Sequence, residues 1–312
     1  MFWPLRPGCR RVAFASLRRC DSTTGSIATD KHAPDTSSIS FTALYTGQVW
    51  VRNGLSEPFF QTRSGALLYG AMSPMEALGK RVLGGNIRTF LLQRHHLIDA
   101  RLEALIEQHP DLQVVEIACG LSPRGCRFRQ RFPSITYVEA DLPDMADRKR
   151  RLLAAKGFLS ATHRVAPVNI LAEDGPDSVA ALLDGLDPAR PVAVITEGLI
   201  NYFSLDTVTP FWGRLAAGLR RFPRGVYLSD NYPLYANMRF HRTLKTLGGL
   251  LGAISRSQVA FHFRSDADTE RHFLNQGFDA LTVHDPADFY TALPIPRTRG
   301  TPMVRVLEAS VS

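Results

Sequence analysis

The sequence predicts an α/β protein with a parallel, doubly wound sheet, and three observations carry that expectation. The stretch Val114-Val115-Glu116-Ile117-Ala118-Cys119-Gly120-Leu121-Ser122-Pro123-Arg124-Gly125 reads as a strand, a small-residue turn and the start of a helix. From there to Ser229, apolar runs of strand length alternate with helical periods, the rhythm of a parallel sheet covered by helices on both faces. Small or polar residues, Gly120, Asp141, Asn169 and Glu197, follow successive strands, at the carboxyl ends where such sheets place their ligands.

A chain of 312 residues with 45% hydrophobic content can bury a full core, and one domain with extensions is the expected division. Formal net charge is +8, but Arg6, Arg10, Arg11, Arg18 and Arg19 all precede the first acid, Asp21. The remainder is mildly basic and has no basic stripe interleaved with aromatics, so nucleic acid is not an expected partner. Cys9, Cys20, Cys119 and Cys126 make neither a zinc spacing nor a disulfide framework, and a reducing compartment is the default. No apolar run approaches the roughly 18 residues of a spanning helix, so a soluble protein with no membrane partner is expected.

Residues 1–38 are rich in Arg, Ser and Thr, carry Pro4, Pro7 and Pro34, and show no apolar period. Such a segment buries too little surface to offset its ordering entropy and reads as a disordered arm. Its Arg-rich, acid-free start also has the composition of a mitochondrial transit peptide. The expected location is the cytoplasm, or the mitochondrion if the arm is such a peptide.

Residues 39–110 follow helical spacing in three segments. Ala43, Leu44 and Val51 mark the first, Leu67, Leu68, Met72 and Met75 the second, and Ile87, Phe90, Leu91, Ile98, Leu102, Leu105 and Ile106 the third. Asn53-Gly54 and Gly84-Gly85 separate them. They are expected to cap the mouth of the sheet formed by residues 111–312. The third segment carries Arg94, His95 and His96; adjacent histidines point to different sides of a helix, so no metal is expected there.

Beyond the first turn, helices are expected over 123–132, 145–159, 178–186 and 205–222, and strands over 135–139, 163–168, 192–196 and 225–229. Asp141 stands 21 positions after Gly120, where a carboxylate can accept both hydroxyls of a ribose. Asn169 has the donors and acceptor to meet an adenine edge, and Ile170 the apolar surface to pack on a purine. Polar residues at strand ends also serve as caps for the next helix.

The set Val115-Glu116-Ile117-Ala118-Cys119-Gly120-Leu121, Tyr137-Val138-Glu139-Ala140-Asp141-Leu142-Pro143 and Ile195-Thr196-Glu197-Gly198-Leu199-Ile200-Asn201-Tyr202 resembles the leucine carboxyl methyltransferase family. The resemblance spans Ile39 to the end. It implies a class I S-adenosylmethionine-dependent methyltransferase with a doubly wound, seven-stranded, mostly parallel sheet whose last strand is reversed. It also implies S-adenosyl-L-methionine as cofactor. Carried over by position, the arginine for the methionine carboxylate is Arg94, the glycine turn Ala118 to Gly120, the ribose acid Asp141, the adenine-side pair Asn169 and Ile170, and the fourth-strand acid Glu197. Two residues depart from the family pattern. Ala118 stands where glycine is usual, placing a Cβ at a position that favours positive φ, and Asn169 stands where Asp is common. Dinucleotide binding, the competing use of this fold, wants G-x-G-x-x-G, which the turn lacks.

The final third predicts a helix over 234–254, another over 266–275, and two antiparallel strands near 277–283 and 303–307. Tyr202, Asn231, Tyr232 and Arg256 are candidate acceptor contacts, with packing or capping as their other reading. His241, His262 and His284 are available as bases, but their positions read as structural, so no catalytic residue is assigned. A carboxylate acceptor needs no base. The expected function is therefore methyl transfer to a carboxylate or hydroxyl of a small molecule. Methylation of a protein C-terminal carboxylate is the alternative within the class. A nicotinamide-dependent oxidoreductase and a binding protein without catalysis are the alternatives outside it.

Overall fold

The computed structural model describes residues 36–83, 85–233 and 260–312. Their centre is a seven-stranded sheet in the order β3-β2-β1-β4-β5-β7-β6. The strands are β1 (Gln113–Ile117), β2 (Thr136–Asp141), β3 (His163–Pro167), β4 (Val192–Thr196), β5 (Gly225–Asn231), β6 (Ala280–His284) and β7 (Arg305–Val311). Strands β1 to β5 pair in parallel, and β7 runs antiparallel to both β5 and β6. From β1 the chain builds outward through β2 and β3, then crosses to β4 on the other side of β1. The strand order therefore reverses between β1 and β4, and a crevice opens beyond their carboxyl ends.

The alternation of side chains decides which helix covers which face. Val115, Ile117, Val192 and Val194 point into a core shared with α6 (Val179–Asp184), α7 (Leu205–Leu219) and α8 (Asp266–Asn275), through Leu183, Phe211, Trp212, Leu215 and Phe273. Val114, Ala193, Ile195 and Leu228 point the other way, against Leu97, Leu102 and Leu105 of α3 (Ile87–Gln108) and Phe128 of α4 (Arg124–Arg131). Strands buried on both faces read as continuous apolar runs, as Val192–Thr196 does. A sixth helix, α5 (Pro143–Ala155), lies against β2 and β3.

Several expected limits shift: β2 runs on to Asp141, α7 stops at Leu219, and the last two strands are Ala280–His284 and Arg305–Val311. The third segment of the expected cap, α3, is a full partner of the sheet; only α1 (Thr36–Arg52) and α2 (Arg63–Leu83) stand outside the two main cores. The helix expected over 145–159 begins at Pro143, which suits a first helical turn where no N–H partner is needed, and it gives way before Gly157 at φ +70°. The strand expected to end at Ser229 continues to Asn231, paired with β7 as far as Arg305. The helix expected over 234–254, with Arg256 and His241, lies outside the described residues, as does the arm up to residue 35. No helix among the described residues is long and apolar enough to cross a membrane.

Candidate active site

At the reversal between β1 and β4 lies a cavity of about 60 Å³. Arg94, Ala118, Gly120, Asp141, Glu197 and Gly198 form its polar and backbone wall, and Ala43, Thr46 and Trp50 of α1, which packs against the turn, complete it. Five of the residues expected at a cofactor site thus come together: Arg94, Ala118, Gly120, Asp141 and Glu197.

The turn after β1 is held from several directions. Ala118 and Gly120 adopt left-handed backbone, at φ +55° and +47°, so Ala118 carries the strain its Cβ implies. Gly120 leaves no room to spare, because an added Cβ would stand 3.3 Å from the Cβ of Ala43. The Gly120 N–H donates to Asp141 Oδ2 at 2.7 Å, and the Leu142 N–H to Asp141 Oδ1 at 2.8 Å. A carboxylate has about four acceptor sites, so two remain. On the far side of the turn, Lys149 of α5 is wholly buried and donates to the carbonyls of Ser122 at 2.6 Å and Gly120 at 3.3 Å. An ion pair with Glu139 at 2.5 Å balances its charge.

A second group of charges lies between α3 and the ends of β4 and β5. Arg94 Nε donates to Glu197 Oε1 at 3.1 Å and Nη1 to Asp230 Oδ2 at 3.0 Å. Behind it, Arg124 is wholly buried and reaches Glu197, Glu116 and Asp99 at once, at 2.5, 2.5 and 2.6 Å. His95 Nδ1 stands 2.9 Å from Glu197 Oε2, and its ring lies 4.8 Å from that of Trp50. His95 thus serves charge pairing and packing. No group able to hold a metal ion is found among the described residues.

These surroundings fix protonation. Burial alone would raise the pKa of Glu197, but His95 and Arg124 outweigh it and hold the carboxyl well below its usual range. Burial raises the pKa of Asp141, and the N–H groups of Gly120 and Leu142 offset only part of this. The Tyr232 phenol is pushed up to about 12, chiefly by burial. Burial likewise pushes the Cys119 thiol far up, which leaves it inert as a nucleophile.

Asn169 and Ile170 are not brought to this cavity. Asn169 Oδ1 accepts the N–H of Leu171 at 3.0 Å, a local turn bond. Ile170 is buried among Val168, Val179 and Leu183 in the core below the sheet. Of the candidate acceptor contacts, Tyr202 lines the cavity and the Tyr232 hydroxyl accepts from Arg94 Nη1 at 3.3 Å. Asn231 is buried within β5 and paired with Asn201. His262 bonds the Ile200 carbonyl and His284 bonds Glu308, both structural positions.

Sequence reading missed Trp50, Lys149 and Asp230. Lys149 sits in the basic run Arg148–Arg151, which looks like a solvated face. Yet Ala146, Lys149 and Leu153, the buried residues of α5, follow helical spacing, a signal that marks the lysine as inward-facing. Trp50 lines the cavity with its Nε1–H buried and without a partner. Nothing in the linear sequence distinguishes it from a packing residue.

A model of leucine carboxyl methyltransferases matches residues 50–211. The chain belongs to the leucine carboxyl methyltransferase family. Within that family's reach it is 35% identical over 103 residues to a protein of Mycobacterium tuberculosis (strain ATCC 25177 / H37Ra), 33% of each chain, whose name assigns it provisionally to the S-adenosyl-L-methionine-dependent methyltransferases. A similarly named protein of Parafrankia sp. (strain EAN1pec) is 32% identical over 188 residues, 56% of this chain and 58% of that one. The chain thus matches about a third of the length of the mycobacterial relative. Among solved structures, a DUF574 family protein from Streptomyces avermitilis MA-4680 superposes with a TM-score of 0.57 at 13% identity, covering 87% of this chain and 97% of that one. A structure from Thermobifida fusca YX, provisionally described as a methyltransferase, gives 0.55 at 15% identity, covering 87% and 93%. Likeness at this level shows the fold, that of the class I methyltransferases.

The residues present suit an adenosyl sulfonium cofactor. Asp141 keeps acceptor capacity for a diol, Arg94 is the one cation among the described lining residues, and the orphaned Trp50 Nε1–H is a donor awaiting an acceptor. The volume is small beside the ~300 Å³ or more of ligand pockets. The α1 wall belongs to neither main core and packs instead through Tyr45, Val49, Leu44 and Val51 in two smaller clusters.

Proposed function

We propose that the protein is an S-adenosylmethionine-dependent O-methyltransferase acting on a carboxylate or hydroxyl of a small molecule. The observation that carries this reading is the convergence of Arg94, Gly120, Asp141 and Glu197 on one cavity at the strand reversal. Bound there, S-adenosylmethionine supplies an electrophilic methyl group on a sulfonium. Asp141 holds the ribose hydroxyls, and Arg94 receives the methionine carboxylate. The turn from Ala118 to Gly120 lets the nucleoside lie against the main chain. What the protein adds to such an in-line displacement is alignment in a space poor in water.

What supports an ionised acceptor is the state of the ionisable groups at and beside the cavity among the described residues. A general base must be within hydrogen-bond reach and titrate near the working pH. Glu197 is held ionised far below that range and is spent on Arg94, Arg124 and His95. Tyr232 stays protonated, with its pKa at about 12. Asp141 already accepts two N–H groups. An acceptor that arrives ionised, a carboxylate or an acidic hydroxyl, needs none of them. Incubation of the protein with methyl-labelled S-adenosylmethionine and a set of small carboxylic acids, phenols and alcohols tests this. Label is expected in methyl esters or in ethers of acidic hydroxyls; label confined to amines or thiols would overturn the reading.

A further inference from the structure

We infer that Asp230 is a positioning residue for cofactor recognition, acting with Gly198 to aim the Arg94 guanidinium at the amino-acid end of the cofactor. The inference rests on the cofactor reading above and adds to it a residue that touches no part of the ligand.

Asp230 lies in the last stretch of β5, wholly enclosed at 1% exposure. Its two oxygens are divided between two tasks. Oδ1 accepts the Gly198 N–H at 2.5 Å, and Oδ2 accepts Arg94 Nη1 at 3.0 Å. Gly198 stands at φ +69°, just after β4, and Arg94 comes from the middle of α3. One carboxylate thus ties the loop after β4 to a side chain from a third element.

The geometry fixes the plane of the guanidinium. Nε is held by Glu197 and Nη1 by Asp230 and Tyr232, which leaves Nη2 as the corner without a hydrogen-bond partner among the described residues. That corner lies against the Gly198 backbone, so closely that a Cβ built on Gly198 would stand 2.5 Å from Nη2. A planar fork held at two corners presents the third in a fixed direction, and Arg94 borders the cavity. Gly198 is required twice: for its left-handed backbone and for the absence of a side chain where the fork passes. Glu197 alone would hold one edge and leave the fork free to turn about it.

The cofactor's own fragments separate this role from a merely structural one. S-Adenosylhomocysteine carries both the nucleoside and the amino-acid end, whereas 5′-methylthioadenosine keeps the nucleoside and thioether and lacks the amino-acid end. Asp230→Asn keeps the shape and, with its single oxygen on the Gly198 N–H, sets an amide donor against Arg94 Nη1 where an acceptor stood. Titration calorimetry on the whole chain is expected to show S-adenosylhomocysteine binding weakened tenfold or more, with 5′-methylthioadenosine affinity kept within twofold. Gly198→Ala approaches the same fork from the other side and is expected to give the same split, so the inference remains testable if one variant fails to fold. Arg94→Gln supplies the reference split.

Equal weakening of both ligands in Asp230→Asn or Gly198→Ala would show that the residue supports the site as a whole, and would overturn the inference. So would an unchanged S-adenosylhomocysteine affinity. Failure of the wild-type chain to bind either ligand would instead remove the cofactor reading on which the inference stands.

Discussion

At Ala118 a methyl group occupies a left-handed backbone position, φ +55°, that costs an L-residue about 1 kcal/mol or more. The sequence already marks this position, because the family resemblance places glycine there. Ala118→Gly is expected to leave urea-denaturation stability unchanged or to raise it by up to about 1 kcal/mol, since relief of strain competes with glycine's greater chain entropy. A loss of stability would mean that the alanine methyl packs usefully. Asp141 carries a pH prediction. Burial raises its folded-state pKa above the ordinary value, and in the proposed complex it is the ionised form that would accept the ribose hydroxyls. Binding that depends on it is therefore present above the raised pKa and lost as pH falls through it. S-Adenosylhomocysteine affinity should begin to fall at a higher pH than the ~3.9 of an ordinary aspartate would give. Glu197, held low, adds nothing to that window. Asp141 was legible because its spacing from Gly120 is set by one strand, one helix and two short turns. Lys149 and Asp230 were not, since their partners are main-chain carbonyls and an arginine that only the folded chain brings near.

Among the elements, α1 is the one whose position bears on entry of a ligand. Its Ala43, Thr46 and Trp50 stand in the cavity wall. Binding is expected to move α1 relative to the turn and to change the surroundings of Trp50. Tryptophan emission should respond to S-adenosylhomocysteine in a Trp3→Phe chain, with the response lost when Trp50→Phe is added, because the remaining Trp212 is fully buried in the core of the other sheet face. A response retained after Trp50→Phe is added would place the change elsewhere. The strands were legible as apolar runs, and β4 matched its expected limits because both ends border polar or proline residues, Pro191 and Glu197. The end of β5 was not, because Asp230 and Asn231 break the apolar pattern and pair only through contact with β7. Of the two uses read for Asn169, adenine contact and a cap for the next helix, its side-chain carbonyl serves neither among the described residues and instead accepts the Leu171 N–H in a local turn, while Ser178 caps the helix.

Across the whole molecule, buried charge joins the site to the fold. Arg124 is fully enclosed and binds acids from α3, from β1 and from the end of β4. Removing one partner of such a set leaves the others buried and uncompensated, at about 3–5 kcal/mol. Arg124→Met should lose that much in urea denaturation, whereas Arg221→Ala, which breaks an exposed pair with Asp184, should lose no more than about 1 kcal/mol. Comparable losses would mean that the buried network is not what binds α3 to the sheet. The parallel sheet was readable from alternation, while its strand order and the charge network were not, because they join members at widely separated positions that follow no common period.

The most direct test of the account is calorimetric titration of the chain with S-adenosylhomocysteine, beside Asp141→Ala and with NAD as control. One site is expected in the wild-type chain, absent in Asp141→Ala, with no heat from NAD. Binding of NAD without S-adenosylhomocysteine, or an affinity that survives loss of the Asp141 carboxylate, would contradict the placement of a methyl-donor site at this cavity.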